Sequence, residues 1–173
     1  MKEVETFLGY KEGWRWWNLS LPPYGSSQDE LVLYSIAPHF VEYYKWNWSE
    51  ENRTDRPKLY DDYGFHAYKR DCMDSMGATF NHTPPLVGNV AMYGDVCQHE
   101  YGYRAEKAVI LNVWCNSVHW KKVKDVPQVK GTFSIEVTGE ESRWLKLENL
   151  KELKGGNLSN APVTFLPLNK RRK

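Results

Sequence analysis

The sequence predicts a β-rich α+β domain, a small bent sheet or partly open barrel carrying two or three short helices. Short apolar/polar alternations recur along the chain, bounded by Gly, Pro and Asn clusters. The stretch Gly88–Leu111 holds two such runs joined at Tyr101-Gly102 and reads as a long β-hairpin. Helical spacing is sparse, confined to Asp71–Gly77 and to Leu147, Leu150 and Leu153 ahead of Gly155-Gly156.

Taken in order, Phe7–Leu19 mixes aromatics with Gly and suits a strand, ended by Pro22-Pro23. Leu31–Ala37 is short and almost wholly apolar, as a buried strand is. From Pro38 to Asp62 the pattern dissolves into aromatic residues and a charged loop, a length of irregular chain that is often functional. Gly64–Lys69 is a compact strand, and Gly131–Gly139 alternates like an exposed one. Lys121–Pro127 is a basic connection between the hairpin and that strand. No linker divides the chain, so residues 1–168 are expected to form a single domain followed by a basic tail, 169–173.

Composition excludes several classes. Formal net charge is +1, so nothing global draws the protein to nucleic acid or to a membrane surface, and any such contact is local. Three cysteines without a C-x-x-C spacing fit a reducing compartment, and the acidic start Met1–Thr6 lacks the apolar segment of a signal peptide, so a cytoplasmic location is expected. No run is long and apolar enough for a membrane helix. The aromatic load, 8 Trp, 11 Tyr and 6 Phe, is high and must either pack a core or line a pocket.

The candidate site follows from strand alternation. With a turn at Tyr101-Gly102, the odd residues Tyr93, Asp95, Cys97 and His99 of the first arm share a face with Arg104 and Glu106 of the second, and His99 sits opposite Arg104. His titrates near neutrality and can be oriented by a carboxylate, so Asp95, His99, Arg104 and Glu106 can position a ligand or move a proton. The bland alternative is a cross-strand ion pair worth at most about 1 kcal/mol. Trp46 and Trp48, with Trp14, Trp16 and Trp17, offer a stacking surface for a base, or else cover a sheet layer.

Two motifs, Gly64-Phe-His-Ala-Tyr-Lys69 and the block from Gly88 through Tyr93-Gly94, Val96 and His99 to Gly102-Tyr-Arg104-Ala-Glu106, resemble a family of small bacterial and phage proteins. In that family a Gly-x-(Tyr/His)-Ala segment precedes a Gly-x-Val-x-x-(Trp/Tyr)-Gly-x-Val-x-x-His-x-x-Gly-(Tyr/Trp)-Arg-Ala block. The likeness spans roughly residues 30–113 and implies no activity. Family members often carry cysteines ahead of the first motif, where this chain has Asp61, Asp62 and Tyr63. The Gly-x-Val rhythm is also similar to PUA-like modules, the ASCH, EVE and YTH group, which implies a small barrel around a nucleobase pocket. His66 and Tyr93, which lie within these two motifs, complete the candidate ligand-binding set.

No phosphate-binding glycine loop, nucleophile elbow or paired zinc-ligand spacing occurs, so no metal, cofactor or catalytic residue is expected. Three classes remain. The leading one is a non-enzymatic module that recognises a nucleotide or nucleic-acid base in an aromatic pocket formed with Trp46, Trp48, His66, Tyr93, Asp95, His99, Arg104 and Glu106. The others are a phage or host accessory protein that binds a protein partner, and a small hydrolase or nuclease using His99 with Glu106 or Asp95.

Overall fold

The computed structural model describes residues 5–20, 32–35, 45–46, 51–53, 64–72, 86–124, 129–137, 139, 143–148, 158 and 162–166. The hairpin is the axis of the fold. Its arms are β7 (Leu86–Gln98) and β8 (Gly102–Asn116), the two longest strands described. Around them stand β1 (Glu5–Leu8), β2 (Lys11–Ser20), β3 (Val32–Ser35), β4 (Lys45–Trp46), β5 (Asn52–Arg53), β6 (Phe65–Tyr68), β9 (Lys130–Ser134), β10 (Trp144–Glu148) and β11 (Pro162–Leu166). All belong to one mixed sheet in which eight strands run in the order β1-β11-β7-β2-β6-β8-β10-β9, with β3 joined to β2, β4 to β3 and β5 to β8.

Each arm is long enough to pair with several partners along its outer edge. The outer edge of β7 takes β2 along Leu86–Met92 and then, in parallel, β11 along Gly94–Cys97. The outer edge of β8 takes β6 along Gly102–Ala105, β5 along Lys107–Ala108 and β10 along Trp114–Asn116. Strands β2 and β6 meet at Trp14 and Tyr68, so β7, β2, β6 and β8 close a partial ring. Closure needs β6 to lie tight against the start of β8. A side chain at Gly102 would place its Cβ 2.0 Å from the carbonyl oxygen of Ala67, so only glycine permits this approach.

Strand alternation sends the tryptophans of β2 to both sides. Trp17 joins the main core with Leu33, Trp46, Phe65, Val90, Met92 and Ile110, while Trp14 joins a second cluster with Val87, Trp114, Val137 and Trp144. Trp14 stacks on Trp114 at 5.3 Å, and Trp46 packs between Trp17, edge-on, and Phe65. A buried ring removes about 150–250 Å² from water, worth about 4–6 kcal/mol each before ordering costs, so these aromatics carry much of the core.

The helical expectations give way. Leu147 lies in β10, paired with Gly131 of β9, and is buried there, because alternation inside a sheet buries every second residue whatever its spacing to later leucines. Leu150 and Leu153 lie outside the described residues. At Asp71 there is a 3-10 turn, Arg70–Cys72, and the rest of that segment lies outside the described residues. Beyond it, the described residues hold a 3-10 turn at Ser117–His119 and one helical turn, α1 (Trp120–Val123). No described helix is long and apolar enough to cross a membrane. The basic tail 169–173 also lies outside the described residues.

Candidate ligand-binding site

The hairpin turns one residue earlier than its sequence suggests. The His99 amide donates to the Gly102 carbonyl at 2.7 Å, so the two-residue loop is Glu100-Tyr101. Cys97 therefore faces Arg104, and Gln98 faces Tyr103. The register has shifted by two residues, which preserves face: Cys97 and Arg104 remain together, with His66 of β6 on Arg104's other flank. His99 reaches Arg104 along the diagonal instead of from directly opposite.

Arg104 is 1% exposed, and its Nε–H donates to Nε2 of the half-buried His99 at 2.6 Å. A guanidinium only donates, so Nε2 of His99 accepts and the imidazole proton sits on Nδ1. The exposed His66 lies beside this pair in the sheet. Cys97, across the hairpin from Arg104, is fully buried, and Cys72, Cys97 and Cys115 are not joined in disulfides; burial pushes Cys115 up to about 12.

A bulge then divides the expected cluster. Gly94 has φ +73°, and Gly94 and Asp95 together oppose Glu106. Glu106 occupies the space where a Gly94 side chain would be, and its Oε1 accepts the Asp95 amide at 3.4 Å. The extra residue reverses the alternation below it, so Tyr93 pairs with Lys107 and lies on the face opposite Arg104 and Glu106. The expectation of Tyr93 beside Asp95 and His99 is thereby corrected. Its hydroxyl donates to Oε2 of Glu51, which also pairs with Arg53. Burial works to raise Glu51, but the hydrogen bonds from Tyr93 and Arg53, with Arg53 and Lys107 nearby, outweigh it and hold the carboxyl below its usual range. Burial, with Glu51 as acceptor, pushes the Tyr93 hydroxyl well up.

Trp46 is 1% exposed within the core, so it has no open face for a base in this structure. Arg15 lies over its ring at 4.3 Å and donates to the His66 carbonyl at 2.9 Å; burial lowers the Arg15 guanidinium to about 9, against Tyr68, which raises it. Trp48 lies outside the described residues.

The aromatics that do reach solvent near the tip are different ones. Tyr103 and Phe165 are both half-buried, their rings 6.3 Å apart and tilted by 55°. The Lys69 ammonium stands 5.9 Å from the centre of the Tyr103 ring, and that of Lys11 4.9 Å from the Phe165 ring. Tyr101, at the loop, is 50% exposed. Four separate strands or strand ends, β2, β6, β8 and β11, converge to build this surface, which is why no local motif announces it. The signal available in the sequence was the alternation itself: Tyr103 must face away from Arg104.

Among the described residues no group of three or more His, Cys, Asp or Glu side chains is placed to hold a metal. Comparison with protein-family models, curated proteins and solved structures finds no match to the chain.

Proposed function

We propose that the protein is a non-enzymatic binding module that recognises a nucleotide or nucleic-acid base, with the hairpin tip as its recognition element. The observation that carries this reading is the half-exposed Tyr103–Phe165 pair with a lysine ammonium standing over each ring. Aromatic faces stack on bases at about 1–3 kcal/mol per base. A cation over an exposed ring is worth about 0.5–1 kcal/mol, so an incoming base can displace each lysine, whose flexible stem then carries the charge to phosphate.

The His99 geometry favours binding over acid-base catalysis. Its Nε2 lone pair, the site a general base would use, is engaged by Arg104. For the fold, the ring formed by β7, β2, β6 and β8 supports the finer reading of a partly open, PUA-like barrel. A second reading, a protein partner, draws support from Phe133 and Ile135, 52% and 60% exposed on and beside β9, the last strand in the described sheet order.

The test is titration of wild type, Tyr103→Leu and His99→Ala with short oligonucleotides and free nucleotides, alongside product analysis after long incubation. Binding that falls about tenfold or more in Tyr103→Leu, with no product formed, is the expected result. Products that appear with wild type and vanish with His99→Ala would replace this reading with an enzymatic one.

A further inference from the structure

We infer that the ligand of the Tyr103–Phe165 surface is a single strand of nucleic acid, taken two neighbouring nucleotides at a time. This rests on the reading that the surface binds bases. The two rings are tilted by 55°, so one planar base cannot lie flat on both. Their centres are 6.3 Å apart, which is wider than the ~3.4 Å between bases stacked within a strand, so successive bases must be unstacked to use both rings. Each ring has its own cation, Lys69 for Tyr103 and Lys11 for Phe165, which supplies one phosphate contact per nucleotide. A duplex cannot present splayed bases without opening, and a mononucleotide fills half of the surface.

The strand is carried over both rings, with Lys69 at Tyr103 and Lys11, at the start of β2, at Phe165.

The probe is a fluorescent oligothymidylate of about ten nucleotides, a length within the range of single-strand sites. Its anisotropy is titrated with protein in salt from about 50 to 200 mM. Each phosphate contact on a single strand contributes about 0.7 to the slope of log affinity against log salt, so Lys11→Gln and Lys69→Gln each lower the slope by about 0.7 and together by about 1.4. Thymidine monophosphate competes at least about tenfold more weakly than the oligomer, because it makes one stacking and one phosphate contact. Both variants are surface changes, and their circular dichroism reports that the fold is retained. Competition by the mononucleotide as strong as by the oligomer, or equal affinity for a duplex of the same length, would overturn the inference and leave base binding standing. An unchanged salt slope in the double variant would overturn the path over Lys11 and Lys69. Absence of binding to oligomer and mononucleotide alike would overturn both the inference and the base-binding reading beneath it.

Discussion

Arg104 and His99 are joined by an Nε–H···Nε2 hydrogen bond of 2.6 Å, made along the diagonal of the hairpin end, two residues from the position directly opposite. The register explains the diagonal. With Glu100-Tyr101 as the loop, His99 pairs with Gly102, and the space across from Arg104 goes to the small, buried Cys97. A thiol there leaves room for the guanidinium to lie in the sheet and reach toward the tip. The bond thereby ties the last turn of the hairpin to its buried stem.

Removing the acceptor should expose this tie. His99→Ala leaves a buried guanidinium N–H without the His99 acceptor and is expected to lower stability by about 1–3 kcal/mol. His99→Gln restores an acceptor and should recover at least half of that loss. Arg104→Ala should cost about 2–4 kcal/mol, and trimming Lys170–Lys173 no more than about 0.5 kcal/mol. Urea melts of the four variants measure all of these; equal losses in the two His99 variants would mean that packing, not the hydrogen bond, holds the tip.

Gly102→Ala tests ring closure. The added Cβ meets backbone, the Ala67 carbonyl at 2.0 Å, and backbone cannot swing aside as a side chain does. A loss of about 2–3 kcal/mol is expected. Hydrogen exchange should rise first in β6, at the amides that pair with Gly102–Ala105. A variant as stable as wild type would contradict the tight β6–β8 approach.

The Tyr93–Glu51 bond predicts two limits in pH. Glu51 is held below its ordinary 4.5, so its contribution is present above about that pH and is lost as pH falls through the folded value. Tyr93 is held above its ordinary 10.0, so its contribution is present below that pH and is lost as pH rises through the folded value. Tyr93→Phe should therefore cost about 1 kcal/mol between these limits and progressively less outside them. Chemical denaturation of both proteins across pH measures the difference; a cost independent of pH would place the effect of Tyr93 in packing alone.

How much of this was legible in the sequence follows from which rules act locally. Alternation identified the hairpin and put Asp95, Cys97, His99, Arg104 and Glu106 on one face, and it did so even with the loop misplaced by one residue, because a shift of two in register keeps parity. The same alternation failed at Tyr93, since the bulge at Gly94, where φ is +73°, inserts a residue that shows only in the paired register of the two arms. Leu147 deceived by spacing: three leucines at helical intervals are also compatible with a strand followed by other chain, and pairing of β10 with both β8 and β9 decided it. Trp46 read equally as core or pocket, and packing against Trp17 and Phe65 places it in the core. The Tyr103–Phe165 surface was beyond local reading, because Phe165 arrives through a parallel pairing of β11 with β7 across a long stretch of chain.

The proposed binding of bases at the face carrying Tyr103 and Phe165 is tested most directly by a chemical-shift map of the isotope-labelled protein titrated with a short oligothymidylate. Saturable shifts are expected at Lys11, Lys69, Tyr103 and Phe165, with the buried Trp46 indole little changed. Shifts gathered instead at Phe133 and Ile135, or absent throughout at saturating oligomer, would contradict it.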